Sequence, residues 1–245
     1  MIITLKPRKS SYPNPICFIG IDGSGKSTLA RYLFGQLKKS NIQCSRVHIR
    51  YPNTFSFLFL GFCRIAGFTK IRKDGNQIIH EHNFTSKPLK ITWCFFRIFD
   101  LCLHLALRVH LRILLGRVVV CDRFIHDVLV DMMIEMRDYA LSDSLTGRIM
   151  LALVPSRAAI FFVELDAHDA LQRAIQRSIG WKHPDMPSLE GLISRSRLYE
   201  QVSKNCLKLD GRSSLKSLQD KVMRFLSVNE NDSTMESIRM TRMTL

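Results

Sequence analysis

The segment Gly20-Ile21-Asp22-Gly23-Ser24-Gly25-Lys26-Ser27-Thr28 has the spacing G-x-x-x-x-G-K-[ST] and follows directly on the apolar run Ile16-Cys17-Phe18-Ile19. A buried strand, a glycine-rich turn and a helix must therefore succeed one another. Each part of such a loop has a physical task. The glycines let the backbone turn so that successive N–H groups point at phosphate oxygens, Lys26 reaches the β- and γ-phosphates, and the Ser27 hydroxyl ligates Mg2+. A chance glycine-rich turn is the alternative, but the position between a strand and the helical stretch Leu29 to Lys39 argues for a bound nucleoside triphosphate.

Beyond the loop, short β-type runs alternate with long helical stretches. The runs are Ile16–Gly20, Cys44–Ile49, Val118–Cys121, Ala159–Leu165 and Cys206–Leu209. Runs such as Val118-Val119-Val120-Cys121 are apolar at every position, which suits strands covered by helices on both faces and joined by right-handed crossovers. The expected architecture is α/β: a three-layer sandwich around a five-stranded, doubly wound parallel sheet of the P-loop NTPase type. One domain is expected at 15–227, with flexible tails at 1–14 and 228–245.

Composition narrows the partners. The chain carries 36 Lys and Arg against 21 Asp and Glu, a net charge of +15. The basic residues are scattered and no nucleic-acid motif is present, so a phosphorylated small molecule is favoured over a polynucleotide. The seven cysteines form no C-x-x-C pair, which points away from zinc and disulfides and toward a reducing, cytoplasmic setting. Residues 1–15 lack the apolar core of a secretory signal. Two segments, Phe55 to Phe68 and Ile91 to Leu115, are unusually apolar, yet the first is short and holds Arg64, and the second carries Arg97, Asp100, His104, Arg108 and Arg112, so neither reads as a membrane span. Internal packing, pairing of two copies in a homodimer and peripheral contact with a membrane all stay open for them.

In a parallel sheet, ligands sit beyond the carboxyl ends of the strands, so the residues that follow each strand are the candidate site. After the third strand come Asp122, placed to approach a metal, and Arg123, whose planar fork suits a phosphate. Arg50-Tyr51-Pro52 repeats the arginine-plus-aromatic arrangement after the second strand. After the fourth, Leu165-Asp166 leads into a helix bearing Arg173 and Arg177 and then a loop, Gly180 to Pro187, read as part of a lid over about 178–188. Ion pairing at strand ends, and solvated arginines on a helix face, are the competing readings of these residues.

Taken together and in order, the phosphate loop, Arg50-Tyr51-Pro52, Asp122-Arg123-Phe124, Leu165-Asp166 with Arg173 and Arg177, and Leu209-Asp210-Gly211 resemble the thymidylate kinase family of nucleoside monophosphate kinases over about residues 15 to 227. The resemblance implies transfer of the ATP γ-phosphoryl group to a nucleoside monophosphate, dTMP first, with Mg2+. It places Gly20, Asp22, Gly23, Ser24, Gly25, Lys26, Ser27 and Thr28 around ATP, with Arg173 and Arg177 approaching it. Lys26, Asp122, Arg123 and Arg177 become catalytic, with Ser27 and Asp122 near the metal. Asp22 would sit near the acceptor sugar, Arg50 and Arg123 would hold the acceptor phosphate with Tyr51 beside them, and Arg97 would reach the acceptor base. The chain departs from the family after Asp122-Arg123-Phe124, where Asp127 and Asp131 fall at i and i+4 on one helical face. Asp127 is accordingly expected to meet an acceptor hydroxyl, unless both carboxylates pair with neighbouring basic residues. Two other readings stand beside this one: a kinase for a nucleoside, a sugar phosphate or a lipid-linked acceptor, with Asp22 or Asp127 as general base, and an ATP-binding regulatory protein.

Overall fold

The computed structural model describes residues 12–50, 54–67, 69–74, 77–82, 86–178 and 188–227; at 69–74, 77–82 and 177–178 it describes the backbone course only. Five strands, β1 (Ile16–Ile19), β2 (Cys44–His48), β5 (Val118–Asp122), β6 (Ala159–Glu164) and β7 (Leu207–Asp210), form one sheet in the order β2-β5-β1-β6-β7. Every pairing in it is parallel. Each strand lies within one residue of its sequence-based bounds. The third runs one residue further than expected, because Asp122 still pairs with Phe18 on one side and His48 on the other. An antiparallel hairpin, β3 (Thr69–Asp74) with β4 (Gln77–His82), stands apart from this sheet and is an element the sequence reading does not contain.

Period-two alternation along the central strands sends side chains into two separate cores. Cys17, Ile19, Val119, Cys121 and Phe162 pack with α3 (Lys87–Leu105), α5 (Ile125–Glu135) and α8 (Leu189–Val202). Ile16, Phe18, Val118, Val120, Phe161 and Val163 pack instead with α1 (Lys26–Lys39) and the last helix, α9 (215–227). Helices therefore cover both faces of the sheet. The central strands β1 and β5 are buried at every residue, whereas the edges β2 and β7 keep polar, exposed positions. The other helices are α2 (Phe55–Ile65), α4 (Leu111–Leu114), which continues α3 through a π-turn at Ala106–His110, α6 (Leu145–Ala152) and α7 (Ala167–Ser178).

Packed contacts reach into the segment expected as an N-terminal tail. Asn14 is buried, its side-chain amide donates to the Arg117 carbonyl at 2.9 Å, and its side-chain oxygen accepts from the Val119 N–H at 3.0 Å. All seven cysteines are free thiols. Among the described residues no helix is long and apolar enough to cross a membrane.

Asp100, which interrupts the apolar pattern of α3, caps a neighbouring helix. It is fully buried and accepts from the backbone N–H groups of Thr54, Phe55 and Ser56 at 3.0, 2.9 and 2.8 Å and from the Ser56 hydroxyl at 2.6 Å. These donors open α2, so one carboxylate satisfies the orphan amides of that helix and docks it on α3. Burial alone would raise the Asp100 carboxyl, but the bonds from Ser56, Phe55 and Thr54 outweigh it and hold the group below its ordinary value. Asp100→Ala is expected to cost about 3 kcal/mol in a denaturant titration, because buried donors lose their acceptor. The folded value is depressed, so this contribution is present above the ordinary aspartate range and is lost as pH falls through the folded pKa.

Candidate functional site

Because the sheet is parallel, the carboxyl ends of β1, β2 and β5 open on the same edge. β1 sits where successive connections leave in opposite directions, toward β5 and β2 on one side and β6 and β7 on the other. The glycine-rich loop Gly20 to Thr28 fills this switch point. Its glycines are held there by contact as well as by backbone angle. Gly23 has φ +93°, and a Cβ on it would lie 2.6 Å from the Ala170 carbonyl oxygen of α7. At Gly20, φ is +139° and the same addition would meet the Val163 carbonyl of β6 at 2.5 Å. Side chains are thus excluded where the loop packs against β6 and α7.

Lys26 begins α1 and is almost wholly buried, its ammonium donating to the Ile21 carbonyl at 2.5 Å within the loop. Burial lowers it to about 8, with the Arg123 charge adding to the effect against Asp127, Asp22 and Asp122. The buried Ser24 hydroxyl has no partner among the described residues. Ser27 and Thr28 face solvent in the first turn of the helix. The Ser27 hydroxyl donates to Asp122 Oδ1 at 3.0 Å, so a hydroxyl and a carboxylate from two elements share one point at the loop. Both are hard oxygen donors. That set fits a Mg2+ ion completed by phosphate oxygens and water. Among the described residues no group of three or more His, Cys, Asp or Glu could hold a metal by protein ligands alone.

A second cluster lies against the loop. Asp22 bridges two arginines, one oxygen on Arg123 and the other 3.5 Å from Arg50. Burial would raise the Asp22 carboxyl, yet the charges of Arg123, Lys26 and Arg50 hold it well below the usual carboxylate range. Arg123 follows β5 with φ +78°, a conformation that non-glycine residues rarely keep without surrounding support. The Arg123 N–H bonds to the Phe18 carbonyl at 3.1 Å, and its guanidinium reaches Asp127 at 3.5 Å. The two arginines therefore converge on one carboxylate, an arrangement able to receive any small dianion of similar size.

The expectation for Asp127 is corrected by its burial. It is fully enclosed and accepts from the Phe124 N–H at 2.8 Å and the Tyr199 hydroxyl at 2.7 Å besides facing Arg123, so no part of it is open to an acceptor hydroxyl. Burial pushes its carboxyl up, against Arg123, Lys26 and the Tyr199 and Phe124 hydrogen bonds. Asp131 one turn later pairs with Arg50 at 3.4 Å and with Arg195 of α8 at 2.5 Å. Both carboxylates thus pair with basic residues and position the arginines.

The remaining candidates divide. Arg97 is also removed from the open cleft: it is 1% exposed, lies over the Trp93 ring at 5.4 Å and acts electrostatically on Glu135 of α5. Arg173 stands one turn beyond Ala170 on α7 and donates to the Gly211 carbonyl at 2.9 Å, tying α7 to the turn after β7. Arg177 falls in the last turn of α7, and its side chain lies outside the described residues, as do Tyr51 and residues 179–187 of the expected lid at about 178–188. Arg195 and Tyr199 are the residues that sequence reasoning missed. The signal was available: Leu192, Arg195, Tyr199 and Val202 recur at helical spacing, so an arginine interrupts the buried stripe of α8.

No protein-family model matches this chain, and no curated protein is recognisably similar to it.

Proposed function

We propose that the chain is an ATP-dependent phosphotransferase that moves the γ-phosphoryl group to a nucleoside monophosphate, with dTMP the first candidate acceptor. The observation that carries this reading is the pairing of two sites across one loop: Lys26 with Ser27 and Asp122 on the nucleotide side, and the Arg50–Asp22–Arg123 bridge on the other. In this reading the loop backbone and Lys26 bind the triphosphate, and Ser27 and Asp122 hold Mg2+, which offsets charge on the transferring group. Arg50 and Arg123 exchange the Asp22 carboxylate for the acceptor phosphate, and Asp127 and Asp131 keep both guanidiniums aimed. Positioning and electrostatics supply the rate.

The state of the carboxylates supports a phosphate acceptor over a hydroxyl one. A nucleoside or sugar hydroxyl needs a general base, but Asp127 is enclosed, and in the free site Asp22 is tied to Arg123 and Arg50, whose charges with that of Lys26 hold it well below the usual carboxylate range. A phosphate acceptor is already ionised near neutral pH. A lipid-linked phosphate is the second reading, favoured by the exposed apolar side chains of α2 and α3.

A coupled ADP-release assay with ATP, Mg2+ and a panel of nucleoside monophosphates, nucleosides, sugar phosphates and lipid phosphates tests the proposal. Release is expected with a monophosphate and not with the matching nucleoside. Release only with a nucleoside overturns the acceptor class, and ATP binding without any acceptor-stimulated release overturns the enzyme in favour of a nucleotide-binding regulator.

A further inference from the structure

The buried side of α3 carries Trp93, Arg97, Leu101 and Leu105, and the opposite side is apolar as well. Ile91, Phe95 and Phe99 recur every four residues along it and are 69%, 63% and 47% exposed. Phe57, Leu58 and Phe62 of α2 are between 61% and 69% exposed. The two surfaces join, since the Phe55 and Phe99 rings meet edge to face with centroids 5.1 Å apart and Phe99 lies 6.4 Å from Phe95. Beyond the π-turn the same side continues through Leu111 and Leu114, 47% and 70% exposed. A continuous apolar face of this extent on a globular domain marks a binding surface.

Its charges indicate the partner. Residues 54–67 and 86–117 include Arg64, Lys87, Lys90, Arg108, Arg112 and Arg117, all at least partly exposed, while their one acid, Asp100, is fully buried beneath α2. An isologous pair of copies would bring this basic rim against itself with no exposed acid from these segments to pair it. An anionic bilayer satisfies both features at once: large apolar side chains enter the boundary of the acyl region, and Lys and Arg meet lipid phosphates. We propose that the face formed by α2, α3 and α4 lies on an anionic lipid surface, with none of the three helices crossing it. The inference stands on exposure and charge and is independent of the activity proposed above.

Sedimentation of the full chain with phosphatidylcholine vesicles, with and without phosphatidylglycerol, tests this, with mass in solution measured by light scattering. The wild type is expected to bind the phosphatidylglycerol vesicles and to be released by salt. Phe62→Ser with Phe95→Ser is expected to lower partitioning by about 30-fold, and Arg108→Glu with Arg112→Glu by roughly tenfold or more. Unchanged circular dichroism and thermal midpoint show that these variants still fold. A dimer that the Phe62/Phe95 variant dissociates, with no vesicle binding by the wild type, overturns the proposal in favour of a second copy. A monomer that stays in the supernatant, or binding indifferent to phosphatidylglycerol, also overturns it.

Discussion

Lys26→Met is expected to lower the proposed phosphoryl transfer by about 10³-fold while leaving the fold intact, measured as ADP release beside a thermal melt. Methionine keeps the aliphatic volume that α1 buries but removes the ammonium at the loop. The pH behaviour separates a ligand-binding role from a structural one. Burial has lowered Lys26 to about 8, so above that pH the free loop loses the proton that phosphate oxygens need, and ATP affinity of the wild type is expected to fall. Stability moves the other way. Between about 8 and the ordinary lysine value the unfolded chain holds the extra proton, so this residue's contribution to stability rises with pH, by at most about 1.4 kcal/mol per pH unit. ATP binding above pH 8 should therefore take up a proton, detectable by titration calorimetry in buffers of different ionisation enthalpy. Wild-type turnover in Lys26→Met would remove Lys26 from the site.

The sheet was legible because its central strands are buried on both faces. Val118 to Cys121 has no polar position to break the run, and helices on both sides explain why. The hairpin at 69–74 and 77–82 was not, since Ile71, Ile78 and Ile79 are too few among charged and polar residues to mark a buried strand. The sequence Asp74-Gly75-Asn76-Gln77 nevertheless contains turn chemistry, and the observed register pairs Asp74 with Gln77 across two intervening residues. At the site, the residues of the phosphate loop and the two strand-end arginines follow from local order. Partners across the chain do not. Asp127 and Asp131 stand out as an i, i+4 pair, but what they do depends on Tyr199 and Arg195, 72 and 64 residues away. Without those partners an acidic helix face reads as a ligand contact, whereas the folded chain uses it to hold guanidiniums in place.

Arg123→Ala is the change in which that support is most exposed. Turnover is expected to fall about 10³-fold, with a raised KM for the acceptor phosphate, because one of the two guanidiniums that converge on Asp22 is lost. Stability should fall as well, by about 3–5 kcal/mol, since Asp127 is left fully buried without its ion-pair partner and with only the Lys26 charge nearby. The left-handed backbone at this position is equally unfavourable for arginine and alanine, so the comparison isolates the side chain. The two losses can be separated. Adding Asp127→Asn to Arg123→Ala removes the orphaned charge while the amide oxygen still accepts from the Phe124 N–H and the amide NH2 donates to the Tyr199 hydroxyl oxygen, so denaturant midpoints should recover most of the loss and turnover should not. Arg123→Lys should restore stability in part, yet its point charge lacks the fork that meets a phosphate and Asp127 together, so the acceptor KM should stay high. If Arg123→Ala lost stability but kept both turnover and acceptor KM, Arg123 would be a lock between Asp22 and Asp127 and the acceptor site would have to be sought elsewhere in the cleft.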